Sequence, residues 1–121
     1  MKRILITGSR DWVDASVIEK ELKNLFTLWG CEVTFISGHC PTGADAIGEK
    51  VAKEFGWTLE LYPAQWAQYG KSAGFIRNKK MIESKADICL AFIRNGSRGA
   101  SGTAKLAEVA SIETLRFTEG I

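Results

Sequence analysis

No apolar run in this chain approaches the twenty or so residues that a membrane-spanning helix needs, and the first residues carry no signal-peptide core. A cytoplasmic location without membrane contact is therefore expected. Charge of one sign is also missing: sixteen Lys and Arg face fourteen Asp and Glu, a formal net charge of +2. So small a surplus counts against nucleic acid or a membrane surface as the general partner. Arg10, Arg77, Arg94 and Arg98 can still form a local positive patch within a neutral whole. Cysteine is sparse, odd in number and without paired spacing: Cys31, Cys40 and Cys89. Cys89 sits in an apolar run and reads as core. Cys40 beside His39 has no second pair of ligands, so no metal is expected, and no cofactor beyond the ligand itself. Internal repeats, low-complexity tracts and interdomain linkers are absent as well.

What remains is the composition of an ordinary globular protein, 45% hydrophobic and 25% charged over 121 residues. That length predicts one domain, residues 1–121, large enough for one sheet with helices on its faces. Five strand-like runs, at 3–7, 33–37, 58–62, 87–93 and 113–118, alternate with helix-like segments. Such alternation is the mark of a parallel α/β sheet. The helices are expected near 15–29, 45–55, 73–84 and 102–110. The first buries Ile18, Leu22, Leu25 and Trp29 at three-and-four spacing, and the second Ile47, Val51 and Phe55. Gly30 and Gly56 stand where helices should end.

Runs one, two and four are almost continuously apolar, as strands covered on both faces must be. Runs three and five alternate, which suits sheet edges. The order 3-2-1-4-5 satisfies both patterns with right-handed crossovers. Strands one and four are then neighbours whose connections diverge, and an open α/β sheet takes its ligand in that crevice.

Two glycine-rich segments fall on those loops. The firmer is Asn95-Gly96-Ser97-Arg98-Gly99-Ala100-Ser101-Gly102-Thr103, after the fourth strand and before a helix. Glycines allow close backbone approach, and the free amides at a helix start attract phosphate. The other is Thr7-Gly8-Ser9-Arg10-Asp11, where backbone amides and the Arg10 guanidinium can hold an anion. It lacks the companion glycines of the dinucleotide fingerprint.

A third segment, Gly38-His39-Cys40-Pro41-Thr42-Gly43-Ala44-Asp45, opens the second helix. One reading makes Thr42 the N-cap with Asp45 completing a capping interaction. The other lays the Gly43 and Ala44 backbone on the pocket floor and has Asp45 accept from a ribose hydroxyl. Gly70-Lys71-Ser72 has no earlier glycine and no preceding strand, so it is no Walker-type loop. Residues 63–74 form the longest stretch without regular pattern. There Trp66 and Tyr69 can stack on a base or pack the loop onto the sheet. Arg77-Asn78 starts a polar helix face on which Arg77 can clamp a phosphate.

With these residues named, the chain resembles, along nearly its whole length, the compact YspA-type branch of the SLOG superfamily, related to YpsA and common in bacteria and phages. The resemblance is carried by Ile6 to Trp12, Gly38 to Asp45 and Pro63-Ala64-Gln65-Trp66. It continues through Gly70, Ala73-Gly74, Arg77-Asn78, Met81, Ala86-Asp87 and the turn ending in Gly102-Thr103. It implies a Rossmann-like three-layer fold and a site for nucleotides or nucleotide-derived ligands, in nucleotide signalling or phage–host conflict. Relatives often pair through helices, which makes a homodimer the expected oligomer.

The LOG phosphoribohydrolases, more distant relatives, cut the base from a nucleoside monophosphate. They carry an Arg that Arg77, followed by Met81, resembles, and a glycine turn followed at once by Thr and a catalytic Glu. Here Gly102-Thr103 is followed by Ala104, Lys105 and Leu106, and the first acid is Glu108. An N-glycosidase would therefore need its carboxylate from Asp11, Asp45 or Glu108. The DNA-processing protein DprA uses a SLOG-like domain on single strands, so single-stranded DNA is a further rival, as is a partner-docking protein with a vestigial pocket. The expected reading is nucleotide sensing or sequestration. Its binding residues are Gly8, Ser9, Arg10, Gly43, Ala44, Asp45, Arg77, Asn78, Gly96, Ser97, Arg98, Gly99, Ser101, Gly102 and Thr103.

Overall fold

A computed structural model describes residues 1–120. The strands are β1 (Lys2–Gly8), β2 (Val33–Ser37), β3 (Thr58–Leu61), β4 (Ile88–Arg94) and β5 (Glu113–Glu119). All neighbours pair parallel in the order β3-β2-β1-β4-β5. The helices are α1 (Ala15–Trp29), α2 (Gly43–Glu54), the short α3 (Trp66–Tyr69), α4 (Ala73–Glu83) and α5 (Arg98–Val109). Both alternating strands lie at the edges, and the three apolar ones lie inside. This is the expected Rossmann-like α/β sheet.

The pleat sends successive side chains to opposite faces, and each face has its own cover. Ile4 and Ile6 join Val33, Phe35, Leu90 and Phe92 on one face, under Ile18 and Leu22 of α1 and Val51 and Ala52 of α2. Leu5, Ile36 and Cys89 meet Met81 of α4 and Ala107 of α5 on the other, where Ala91 and Ile93 pack on Ala100 and Ala104 of α5. Burial pushes the Cys89 thiol up to about 12, as its core position requires. The amide of Gly30, at φ 71°, donates to the Phe26 carbonyl and ends α1. No helix among the described residues is long and apolar enough to cross a membrane.

Three local expectations are corrected. The last helix begins at Arg98, not at residue 102, because alanine and small residues continue the helical hydrogen bonding from Ser101 N–H to Ser97 O onward. Most of the glycine segment is therefore the first turn of α5. The stretch 63–74 is not patternless: α3 and a 3₁₀ turn at Gly70–Ser72 occupy it. Helix α2 starts at Gly43, and Thr42, although at its N-cap, makes no side-chain capping bond.

Two glycines set how closely the loops at the carboxyl edge approach. A Cβ on Gly8 would overlap the side chain of Ala44, and one on Gly43, at φ +72°, would overlap the backbone of Ser9 and Arg10. Gly102, inside α5, faces open space. Gly43→Ala should therefore cost about 2 kcal/mol or more. Gly102→Ala should be neutral or gain up to about 1 kcal/mol. Urea unfolding of the two variants checks this contrast.

Candidate functional site: a cleft over the carboxyl ends of β1 and β4

A cleft of about 940 Å³ opens where the loops after β1 and β4 part, and it continues between α4 and α5. This is the upper end of the size range for small-ligand sites.

Its geometry begins at Ser9. The Ser9 amide donates to the Phe92 carbonyl at 2.9 Å, and its carbonyl accepts from the amides of Trp12 and Ala44, each at 3.2 Å. Its hydroxyl accepts from the Arg94 amide at 2.8 Å. Ser9 is thus buried in the joint between β1, β4 and α2, and Arg10 and Asp11 beyond it line the cleft. Arg10 lies over the ring of Trp66, 5.7 Å from its centroid, a cation–π contact. Asp11 comes within 3.5 Å of Arg94, whose guanidinium also donates to Glu119 at 2.8 Å.

The next wall comes from the loop after β2. Arg77, on α4, donates to the Gly38 carbonyl at 2.8 Å and to the Asn78 side-chain oxygen at 2.6 Å. A side chain on Gly38 would bring its Cβ within 2.5 Å of that guanidinium. Asp45, only 7% exposed, accepts from the Cys40 amide at 3.2 Å. Its side chain therefore does not close a capping box on Thr42. Burial pushes the Asp45 carboxyl up to about 6, with Glu49 adding to the push while the Cys40 amide and Arg77 oppose it. Burial likewise holds Arg77 below the usual arginine range, against the pull of Asp45.

Glu49, one helical turn beyond Asp45, steadies the same loop from below. It accepts from the Ser37 hydroxyl at 2.7 Å and lies 3.0 Å from His39 Nδ1. The Ser37 hydroxyl in turn accepts from the His39 amide at 3.1 Å, which helps hold His39 at φ 59°. Sequence reasoning missed Glu49. The available signal was its i,i+4 spacing from Asp45, which puts two acids on one helix face.

On the far side, the amides of Arg98, Gly99 and Ala100 precede the first intrahelical bond of α5. Ser97, Arg98, Gly99, Gly102 and Thr103 line the cleft, and the Thr103 hydroxyl donates to the Gly99 carbonyl. Of the residues singled out from sequence, the structure brings together Gly8, Arg10, Asp11, Asp45, Arg77, Asn78 and these five. Ser9, Gly43, Ala44, Gly96 and Ser101 are outside the lining. So is Glu108, which is paired with Arg116 at 2.7 Å on the exposed outer face of α5. Tyr69 borders a separate pocket of about 190 Å³, with Lys80 over its ring. Sequence reasoning also missed Phe75, Lys105, Leu106 and Val109, which line the cleft between α4 and α5. Lys105, Leu106 and Val109 share a face of α5 with the glycines, but only the neighbouring α4 makes that face a cleft wall.

The raised Asp45 carboxyl has a consequence for stability. The folded state holds this proton more tightly than the unfolded chain, so the contribution is full below pH 3.8 and is lost as pH rises through about 6. Asp45→Asn should therefore be more stable than wild type at pH 8, by about 2–3 kcal/mol, and nearly equal to it at pH 3.5. Chemical denaturation at the two pH values measures the difference.

Comparison with known proteins finds sequence relatives. No solved structure gives a significant match. The Gene 61 protein of Mycobacterium phage D29 is 34% identical over 122 residues, covering 97% of each chain. Residues 2–69, which supply β1, the Gly38–Asp45 loop and Trp66, match the YspA, cpYpsA-related SLOG family. The chain belongs to that family.

Proposed function

We propose that the cleft binds a nucleotide or nucleotide-derived ligand and that the protein senses or sequesters it. The observation that carries this reading is convergence. Arg10, Arg77 and Arg98 come from three separate segments to one cleft, beside the free amides at the start of α5 and next to Arg94, which is paired with Glu119 and Asp11. In a chain of net charge +2, that concentration of guanidinium groups singles out an anionic ligand. The phosphate lies against the α5 amides, Arg10 and Arg98. Arg77 is a second anion clamp, and Asp45 accepts from a ribose hydroxyl. Membership of the SLOG family supports the nucleotide class in general.

Asp45 lines the cleft, and buried acids with displaced titration are enriched at functional sites. It also favours a second reading, N-glycosidic hydrolysis. Glu108 is tied to Arg116, so Asp45 is the one buried carboxylate lining the cleft among the described residues.

Thermal shift against AMP, ADP-ribose, NAD and cyclic nucleotides tests binding. Ligand at a hundred times its dissociation constant should stabilise the protein by about 2.7 kcal/mol, and Arg10→Ala should abolish that shift. No shift with any nucleotide would sink the reading. Release of free base from a nucleoside monophosphate, lost in both Arg77→Ala and Asp45→Asn, would decide for hydrolysis.

A further inference from the structure

The cleft is larger than a phosphate and ribose require, and two kinds of side chain run along it. One set is cationic. Among the described residues Arg10, Arg98 and Lys105 make no ion pair, whereas Arg94 is paired with Glu119 and Asp11. Arg98 and Lys105 lie seven residues apart on α5, about 10 Å along the helix axis. A single phosphate engages only part of that set. Two linked phosphates, with more charge and more length, engage it from the β1 loop along α5.

The other set is apolar and runs beside the first. On α5 the lining positions Gly99, Gly102, Leu106 and Val109 are spaced three, four and three, so they form one stripe along the helix. Nothing lies within 4 Å of a Cβ built on either glycine, so the stripe is open at its start and apolar at its end. Phe75 of α4 faces the same trough. Phe75 is 63% and Val109 76% exposed, although both border a concave surface. Apolar side chains at the rim of a cleft are suited to cover a flat ring. A second copy on this trough is the alternative occupant. A twofold contact would bring two copies of the Arg98 and Lys105 row to one seam, and that like charge opposes it.

We infer that the ligand is a nucleoside diphosphate or a larger diphosphate-linked nucleotide, its base in the trough between α4 and α5 and its phosphates along Arg10, Arg98 and Lys105. This rests on the reading of the cleft as a nucleotide site and names the ligand class.

Calorimetric titration with the four ribonucleoside diphosphates, their monophosphates and inorganic pyrophosphate tests it at fixed salt. At least one diphosphate should bind tenfold or more tightly than its monophosphate. Lys105→Ala should remove most of that difference. Val109→Ser, at an exposed position that leaves the core intact, should weaken the diphosphate several-fold and leave pyrophosphate unchanged. Equal affinity for monophosphate and diphosphate would overturn the inference while leaving the nucleotide site standing. So would a Val109→Ser variant that shifts sedimentation from dimer to monomer without changing affinity, which would assign the trough to a second copy. If neither nucleotides nor pyrophosphate bind, the cleft reading itself fails.

Discussion

Every backbone and side-chain polar atom of Ser9 is engaged, and the shape of the cleft depends on that residue. Its amide and hydroxyl reach β4, through the Phe92 carbonyl and the Arg94 amide, while its carbonyl takes the amides of Trp12 and Ala44. One residue therefore joins the ends of two strands to the start of α2. The lack of side chains at Gly8 and Gly43 lets these backbones meet. A cleft at the carboxyl edge of an open sheet is bounded by loops, and loops are mobile unless something fixes them. Here the fixing hydrogen bonds are buried, where an unmade bond is costly. Arg10 and Asp11 thereby leave a rigid knot and extend into the cleft, with Arg94 beside them.

The second constraint is electrostatic. Desolvation raises the Asp45 carboxyl to about 6 even though a guanidinium and a backbone amide both favour its ionised form. Burial therefore outweighs both, and the fold is held against the preference of one of its own groups. Groups displaced from their ordinary titration are enriched at functional sites, and structural networks also produce them. The architecture around Asp45 fits the former. Gly38 makes room for the Arg77 guanidinium, and Glu49 holds the loop on which Gly38 and Cys40 stand. Two acids one turn apart on α2 thus divide the labour: Glu49 props the loop and Asp45 faces the cleft.

Strand order was legible because hydrophobic period and right-handed crossovers together select it. Continuous apolar runs had to lie inside and alternating runs at the edges, and the crevice followed from the order. The contents of the crevice were legible only in part. Arg10 and Arg98 could be picked out because charged side chains beside glycine turns have few structural uses, and Arg77 because it starts a polar helix face. Ser9 and Ala44 could not be told from ligand residues, because a residue that shapes a loop and one that lines it share the same motif. The α5 boundary was missed for a related reason. Glycine and serine read as a turn, yet Ala100 and Ala104 pack on Ala91 and Ile93 of β4, and that packing stabilises the extra turn of helix. Leu106 and Val109 looked like ordinary helix residues, and only the neighbouring α4 shows that they border a cleft.

The same helix weighs on the choice between binding and turnover. In the hydrolases that the chain resembles, a catalytic acid follows the glycine turn and its threonine directly. The corresponding residue here is Ala104, fully buried against Ala91 and Ile93 of the sheet. An acid there would be unpaired among apolar neighbours, so α5 in its present register has no place for it. Glu108, the first acid available, faces the solvent and Arg116. Carboxylate chemistry in this cleft therefore has two sources, an exposed Asp11 close to Arg94 and a buried Asp45. Glycosidic cleavage is ordinarily the work of two carboxylates in distinct roles, whereas recognition needs one acceptor and several cations. The cleft has its cations in surplus and one desolvated acid. That balance is suited to holding a phosphorylated ligand, and a case for turnover needs Asp45 as its one buried carboxylate, with Asp11 as the second.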